Sequence, residues 1–323
     1  MKIAILDDYG DAFRQLDCYK RLAAHELVIY NDTETDPVQL ADRIGDAEAV
    51  VLTQARSAFP RAVVERLPRL ELVSLTGKNA RHVDLEACTH HKIAVAARGG
   101  GNPNGPAELA WGLILSSLRN IPEEIERLKS GQWQRTVGRG VAGKTLGIYA
   151  YGRIGSIVAS VGRAFGMRVV CWGREGSTAR ARAAVFEVAP DRESFFASAD
   201  VLSLHLPMNE STRGIVTVQD LAVMKPTALL VNVSRARLIA EGALVEALRA
   251  GRPGFAAVDV YEHEPVLDAD HPLVRMHNAL CTPHLGYVIW STLEEYYSAA
   301  VDNIVAYAAG APANILNPDA LRK

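Results

Sequence analysis

The stretch "TLGIYAYGRIGSIVASVGRAFGMRVVCW" (residues 145–172) decides the fold. Its apolar start predicts a strand, its middle has the spacing of an amphipathic helix, and "RVVCW" (168–172) predicts a second strand. Small residues stand between the first strand and the helix: Ala150, Gly152 and Gly155 occupy the positions of the three glycines in a G-x-G-x-x-G turn. This order of elements indicates a β-α-β unit that binds a dinucleotide.

Each small residue has a physical role in such a turn. Gly152 lets the backbone approach a pyrophosphate, and Gly155 lets the helix pack closely on the strand. The helix N-terminus then offers free N–H groups and the positive end of its dipole to the phosphates. Ala150 adds one methyl group at the first position, which costs little unless the backbone there needs a positive φ. The alternative is a β-α turn whose small residues serve packing alone.

The end of the second strand should read the ribose. An Asp or Glu about 20 residues after the turn binds the 2′-hydroxyl of NAD, but Gly173 holds that position here and Arg174 follows it. An arginine in place of a carboxylate favours the 2′-phosphate of NADP, because a guanidinium pairs with phosphate through two hydrogen bonds. Glu175 keeps NAD open, since it is one position away. Arg180 and Arg182 are read more simply as a solvated helix face.

Apolar strands alternate with helical segments along the whole chain, which predicts parallel sheets covered on both faces. The strands predicted before the hinge-like loop "RGGGNPNGPAEL" (98–109) are 2–6, 27–30, 49–52, 71–75 and 92–96. Those predicted after it are 144–150, 168–172, 201–206, 228–233, 255–260 and 279–282. Six strands with intervening helices fit a doubly wound dinucleotide-binding sheet. Pro122 is expected to kink or restart the long helix that follows the loop.

Bulk properties exclude several classes of protein. The chain has 323 residues, 49% hydrophobic and 22% charged, which suits about two soluble domains. A net charge of −2 with no long basic run argues against nucleic acid as a partner. The four cysteines are scattered without a C-x-x-C pair, so no metal site is predicted. Neither a signal peptide nor an apolar run of about 20 residues is present, which predicts a cytoplasmic protein away from membranes.

Three segments at the carboxyl ends of the later strands bring together groups that suit hydride chemistry on a 2-keto acid. They are "VNVSRA" (231–236), "VDVYEHEP" (258–265) and "TPHLGY" (282–287). A guanidinium can hold the substrate carboxylate in a fork of two hydrogen bonds. A protonated imidazole can give its proton to the carbonyl oxygen as hydride reaches the carbon. A carboxylate beside an imidazole raises the imidazole pKa and fixes its tautomer.

These motifs, in this order over nearly the whole chain, resemble the D-isomer-specific 2-hydroxyacid dehydrogenases. The resemblance implies that Arg235 binds the substrate carboxylate, that His284 donates and accepts the proton, and that Glu264 is the acid paired with the histidine. Glu262 is the alternative acid within "EHEP", but the family motif selects the residue just before the proline. The implied function is an NAD(P)-dependent reductase of small 2-keto acids, with NADP slightly favoured.

The resemblance also assigns cofactor and substrate residues. The implied cofactor-binding residues, besides the turn and the ribose segment, are Arg153, Ile154, His205, Pro207, Thr212, Val233, Ser234, Asp259 and Gly286. Four residues are expected near the substrate: Arg56, Lys78, Asn79 and Asn102. For Arg56, Lys78 and Asn102, ordinary loop polarity is the alternative. The loop "TGKNARHVD" (76–84) departs from the family's usual glycine-rich form, so the individual substrate stays open.

The family fold implies a Rossmann cofactor domain, residues 101–286, inserted into a flavodoxin-like α/β substrate domain made of 1–100 and 287–323. A homodimer is expected on the same analogy. One alternative is a non-catalytic NAD(P)-sensing protein of the corepressor type, which would have no need of the set Arg235, Glu264 and His284. A formate-type or phosphite-type enzyme is another, but formate oxidation pairs the histidine with Gln rather than Glu.

Overall fold

The structure, a computed structural model, describes residues 1–322 and divides into two compact units. The discontinuous unit comprises Met1–Asn102 and Ile289–Lys323, and the inserted unit comprises Pro103–Val288. Both junctions fall two residues after the boundaries that the sequence predicts, at 102/103 and 288/289.

The discontinuous unit is built on a five-stranded parallel sheet in the order β2-β1-β3-β4-β5, which is the flavodoxin-like order. Its strands are β1 (Lys2–Ile5), β2 (Glu26–Ile29), β3 (Ala49–Leu52), β4 (Leu72–Leu75) and β5 (Ala94–Ala97). Its helices are α1 (Pro37–Ile44), α2 (Arg61–Val64), α3 (Leu85–His90) and the long α11 (Trp290–Ala308). Strands β3 and β4 are buried along their whole length, because helices cover both faces of the sheet.

The inserted unit is built on a seven-stranded parallel sheet in the order β12-β11-β10-β9-β6-β7-β8. Its strands are β6 (Thr145–Tyr149), β7 (Arg168–Trp172), β8 (Glu187–Val188), β9 (Val201–Leu204), β10 (Leu229–Asn232), β11 (Phe255–Val258) and β12 (Ala279–Cys281). Counted from β6, the first six strands have the Rossmann order 3-2-1-4-5-6, and β12 extends the sheet. The sequence did not predict β8, because two residues leave no apolar pattern to detect.

Helices cover both faces of this sheet too, as the alternation of side chains along its strands requires. Leu230 joins the hydrophobic cluster on one face, and its neighbours Leu229 and Val231 join the cluster on the other. The helices are α4 (Asn104–Leu118), α5 (Ile121–Lys129), α6 (Arg153–Ala164), α7 (Glu175–Ala183), α8 (Arg192–Ser198), α9 (Val218–Ala222) and α10 (Ala243–Ala250). Pro122 restarts the helix in the first turn of α5, where a missing N–H does no harm.

The predicted fold class is confirmed: a Rossmann sheet is inserted into a flavodoxin-like sheet. Because every strand pair in the inserted unit is parallel, the carboxyl ends of its strands lie along one edge. The strand order reverses between β6 and β9, which is where such sheets bind ligands. Within residues 1–322, no helix is both long and apolar enough to cross a membrane.

Candidate active site

The turn after β6 adopts the conformation that the glycine motif requires, and Ala150 provides the unusual part of it. Ala150 has a φ of +77°, so this position does need the left-handed backbone that alanine disfavours. Two backbone hydrogen bonds fix it there: Ala150 N–H donates to the Trp172 carbonyl at 2.8 Å, and Gly152 N–H donates to the Ala150 carbonyl at 3.0 Å. The alanine is therefore held in a strained turn by the neighbouring strand.

The two glycines form a cradle that fits a pyrophosphate. A Cβ on Gly155 would lie 2.5 Å from the Ala150 carbonyl oxygen, so only glycine allows α6 to approach the turn this closely. A Cβ on Gly152 would meet no heavy atom of the described residues within 4 Å, so the first turn of α6 opens onto free space. The N–H groups at the start of α6, from Arg153 and Ile154 onward, can therefore be reached by phosphate oxygens.

Arg174 stands at the end of β7 beside the turn. Gly173 has a φ of +158°, at the edge of the region that only glycine adopts readily, and its Cβ position would lie 3.5 Å from the Ala150 Cα. The Arg174 guanidinium donates to the Ser211 hydroxyl, in the loop that follows β9. Strand β6 lies between β7 and β9, so this pair brackets the glycine turn from its two sides.

Glu175, the alternative ribose ligand, is engaged elsewhere. Its carboxylate pairs with Arg182 at 3.2 Å and accepts from Thr178 at 3.4 Å, both on its own helix α7. Arg180 is exposed, as a solvated helix face requires, but its guanidinium also donates to the Tyr151 carbonyl of the glycine turn at 3.1 and 3.3 Å. The Glu175 carboxylate is thus directed along α7, and Arg180 of the same helix contacts the glycine turn.

His205 lies under the glycine turn. Its Cδ2 would be 3.4 Å from a Cβ on Gly155, and neither ring nitrogen has a hydrogen-bond partner within residues 1–322. Burial lowers the pKa of His205 to about 4, so the ring is neutral at physiological pH. In the same loop, the Thr212 hydroxyl donates to the Pro207 carbonyl at 2.7 Å and accepts from the Asn209 N–H at 2.8 Å. These contacts order the "HLP" loop (205–207) and the residues up to Thr212, and the predicted contacts of His205, Pro207 and Thr212 with the cofactor stay predictions.

Arg235 follows β10 in a turn organised by Asn232. The Asn232 amide donates to the Arg235 carbonyl at 2.9 Å and accepts from the Ser234 N–H at 3.0 Å. The Ser234 hydroxyl donates to the Leu206 carbonyl at 2.7 Å, which joins this turn to the loop after β9. The Arg235 guanidinium donates to the Ser234 carbonyl at 2.6 Å and is otherwise exposed. Val233 is buried beside them.

His284 and Glu264 form a close pair. The Nδ1 of His284 is 2.6 Å from the Oε2 of Glu264. Because an ionised carboxylate can only accept, Nδ1 carries the hydrogen and Nε2 is left for a ligand. Burial alone would raise the pKa of Glu264, but the hydrogen bond and charge of His284, the Tyr261 N–H and the charge of Arg235 outweigh it and lower that pKa. Arg235 is thus close enough to act on the pair.

Glu262, the alternative acid, has a different partner. Its Oε2 lies 2.9 Å from the Nε2 of His271, so the two acids of "EHEP" serve two different histidines. The geometry therefore joins Glu264 to His284, as the family motif implies.

Asp259 holds the loop that presents His284. Its Oδ1 accepts from the Thr282 hydroxyl at 2.6 Å and the Leu285 N–H at 2.7 Å, and its Oδ2 accepts from the Gly286 N–H at 2.9 Å. Burial raises the pKa of Asp259, although these hydrogen bonds oppose the shift. Its predicted contact with a nicotinamide stays a prediction, and the observed partners of its carboxylate belong to the histidine loop.

The predicted substrate residues of the discontinuous unit lie at or after the carboxyl ends of its strands. The Arg56 guanidinium donates to the Asp7 carbonyl and lies 4.2 Å from the centroid of the Tyr9 ring. Lys78 and Asn79 are exposed, and the Asn79 side chain accepts from the Arg81 N–H at 3.1 Å. Asn102 is partly buried at the junction. Their contacts with substrate stay predictions.

Sequence reasoning missed Tyr261 and Ser211. Tyr261 contacts the His284 loop through its hydroxyl, and Ser211 contacts Arg174. Tyr261 stands in "VDVYEHEP" and Ser211 is adjacent to the implied cofactor residue Thr212, so their positions gave a signal but their residue types did not. Within the described residues, no group of three or more His, Cys, Asp or Glu side chains could hold a metal ion.

Comparison with known sequences decides the family. A sequence model described as "D-isomer specific 2-hydroxyacid dehydrogenase, NAD binding domain" matches residues 111–286. The chain belongs to this family. The match confirms the predicted family and the predicted oxidoreductase activity on the CH–OH group of 2-hydroxy acids. It also confirms a nicotinamide dinucleotide cofactor, but it does not distinguish NAD from NADP.

Individual family members are similar over most of this chain. A glyoxylate reductase of Aeropyrum pernix is 35% identical over 273 residues, which is 80% of each chain. A D-3-phosphoglycerate dehydrogenase of Methanocaldococcus jannaschii is 35% identical over 81% of this chain, which spans only 49% of that protein. A crystal structure of a putative D-3-phosphoglycerate dehydrogenase from Ralstonia solanacearum has 47% identity and a TM-score of 0.95, covering 100% of this chain and 98% of that one.

Proposed function

We propose that this protein is a reductase of small 2-keto acids that prefers NADPH and works reversibly on D-2-hydroxy acids. The observation that supports this most directly is the His284–Glu264 pair, with Nδ1 and Oε2 2.6 Å apart, together with the exposed guanidinium of Arg235, whose charge helps to lower the pKa of Glu264. One group of each kind that carbonyl reduction needs is present: a proton donor, its acid partner and a cation for the carboxylate.

His284 handles the proton. Its Nδ1–H is fixed on Glu264, so Nε2 is the nitrogen that gives a proton to the substrate carbonyl oxygen in reduction and takes it back in oxidation. Glu264 stabilises the imidazolium and keeps the ring in one orientation. Because the pKa of Glu264 is lowered, its carboxylate stays charged at neutral pH.

Arg235 orients the substrate. A guanidinium and a carboxylate form two parallel hydrogen bonds, which fix the direction of the keto group as well as its position. The reduced nicotinamide, when bound on the edge described above, supplies the hydride. The residues that would hold this cofactor are the glycine turn, the N-terminus of α6, the "HLP" loop and Arg174.

The preference for NADPH rests on Arg174. We expect Arg174→Ala to raise the KM for NADPH about tenfold or more, because a charge-assisted hydrogen bond is worth about 1.5–3 kcal/mol. The KM for NADH should change by less than about threefold, because NADH lacks the 2′-phosphate that Arg174 would bind. Steady-state kinetics with both cofactors measures this. Arg249→Ala, which removes an exposed arginine from α10 of the same unit, is the matched control. Equal losses with NADPH and NADH would contradict the assignment.

The test of the proposed function is a substrate panel. Purified protein is mixed with glyoxylate, hydroxypyruvate, pyruvate and phenylpyruvate, each with NADPH and NADH, and the loss of reduced-nicotinamide absorbance is followed. Turnover that is faster with NADPH supports the proposal in full, and turnover that is faster with NADH assigns the ribose to Glu175. Cofactor binding without turnover of any pair would favour the non-catalytic sensor.

We also propose a homodimer that uses α5. This helix has no buried residue although it is amphipathic, and Ile125, Leu128 and the following Trp133 are 47%, 58% and 72% exposed. A second copy would cover this apolar surface. Sedimentation equilibrium should give about twice 35.0 kDa. Leu128→Glu should give the monomer mass, whereas Val185→Glu, at another exposed apolar site, should not. A monomeric wild type would refute the proposal.

A further inference from the structure

Tyr261 contacts Glu264 and the loop that carries His284 through different parts of itself. Its backbone N–H donates to the Oε1 of Glu264 at 2.9 Å. Its hydroxyl donates to the Thr282 carbonyl at 3.0 Å. Tyr261 therefore holds Glu264 through its backbone and the loop of His284 through its side chain.

The Thr282 carbonyl is the point where Tyr261 acts on the histidine. It accepts from the Tyr261 hydroxyl and also from the His284 N–H, at 3.0 Å. His284 has a φ of +53°, a strained conformation that persists only when its surroundings enforce it. Asp259 fixes the residues after the histidine, and the Tyr261 hydroxyl fixes the carbonyl before it. Both sides of the strained residue are thus held.

A second histidine–acid pair fixes the Tyr261 ring. The rings of Tyr261 and His271 meet edge to face, with centroids 5.1 Å apart and planes at 70°. His271 accepts from the Leu273 N–H at Nδ1, at 3.3 Å, and its Nε2 lies 2.9 Å from Glu262. An accepting Nδ1 and a donating Nε2 define one neutral tautomer. The Glu262 carbonyl in turn accepts from Arg237 at 3.4 Å, two residues after Arg235.

We propose that Tyr261 is a positioning residue for the reaction, and that its hydroxyl sets the geometry of the His284–Glu264 pair. The Glu262–His271 pair supports it by fixing the direction of the phenol ring. A phenylalanine at this position would keep the ring contact and the backbone contact with Glu264 but remove the hydroxyl's hydrogen bond to the Thr282 carbonyl. The inference rests on the proposed function, since it assigns His284 as the proton donor.

The test compares Tyr261→Phe with Tyr30→Phe. Tyr30 also donates its hydroxyl to a backbone carbonyl, that of Arg43, but belongs to the discontinuous unit, whereas the histidine loop belongs to the inserted unit. For Tyr261→Phe we expect kcat to fall about tenfold with little change in KM, because a small displacement of a catalytic group is costly. The alkaline limb of its pH profile for keto-acid reduction should move to lower pH, because a looser carboxylate favours the protonated imidazole, the proton donor, less. Tyr30→Phe should keep the wild-type kcat and profile.

A second measurement is independent of turnover. The Nδ1 proton of His284, hydrogen-bonded to Glu264, should give a low-field proton NMR signal that is absent from His284→Ala. In Tyr261→Phe this signal should move upfield or broaden, and in Tyr30→Phe it should stay. His271→Leu, which removes the support of the ring, should change the signal in the same direction.

The outcomes separate the two proposals. An inactive wild type whose signal responds to Tyr261→Phe would refute the proposed function and keep the positioning of the pair. An active wild type whose kcat, pH profile and signal all survive Tyr261→Phe would refute the positioning role. Equal losses of kcat in Tyr261→Phe and Tyr30→Phe would also refute it, because they would reduce Tyr261 to a general stabilising residue.

Discussion

His284→Ala is expected to lower kcat by about 10²–10⁴-fold, because it removes the group that gives the proton to the carbonyl oxygen. Cofactor binding should survive, since His284 contacts Glu264 and Tyr287 rather than the glycine turn. Stopped-flow measurement of single-turnover reduction, together with fluorescence titration of NADPH, separates the two effects.

The neighbouring histidine provides the control. His263 lies exposed next to Glu264 in the "EHEP" motif, so His263→Ala removes an imidazole from the loop of Glu264 and leaves both members of the pair in place. It should keep kcat within about twofold, as exposed substitutions away from a site usually do. Near-wild-type single-turnover rates in His284→Ala would remove this residue from the mechanism.

Arg235→Gln is expected to lower kcat/KM by about 10²–10⁴-fold, because the substrate carboxylate loses two charge-assisted hydrogen bonds of about 1.5–3 kcal/mol each. Arg235→Lys should recover part of the loss, since a lysine restores the charge but not the planar fork. Steady-state kinetics on the best substrate of the panel measures both variants.

The methyl ester of that substrate tests the cause. Wild-type protein should reduce the ester poorly, because the ester has no carboxylate for Arg235 to bind. Arg235→Gln should reduce the ester and the acid at similar rates, because the variant has no guanidinium to pair with the carboxylate of the acid. Arg249→Gln, in α10, controls for the loss of one positive charge. A variant that loses activity on the ester as strongly as on the acid would show that Arg235 acts elsewhere than on the carboxylate.

Much of the fold follows from local pattern. The strand "RVVCW" is β7 over the same five residues, because an apolar run between turn signals can only be a buried strand or a short helix and its β-branched residues decide between them. Strand β8 could not be predicted, since two residues at the sheet edge are held by pairing with β7 alone. The restart of the helix at Pro122 followed from the missing N–H of proline.

The site was predictable where one residue type performs one task. Arg235, Glu264 and His284 follow from motifs, and the structure places Glu264 against His284. The contacts of Tyr261, Asp259 and Arg180 could not be predicted, because each depends on a backbone atom of another loop: a carbonyl for Tyr261 and Arg180, and two N–H groups for Asp259. The sequence names the side chains, but which backbone group lies beside each of them is decided only when the chain folds.

The alanine in the phosphate turn has a consequence for how the cofactor binds. A glycine at position 150 would leave the turn many conformations before the cofactor binds, and binding would have to select one of them. Ala150 at φ +77° costs about 1 kcal/mol of strain but has far fewer alternatives once the β7 strand holds it. The turn then loses its conformational entropy once, during folding, rather than each time a dinucleotide binds. It therefore has the conformation of the bound state before the dinucleotide arrives.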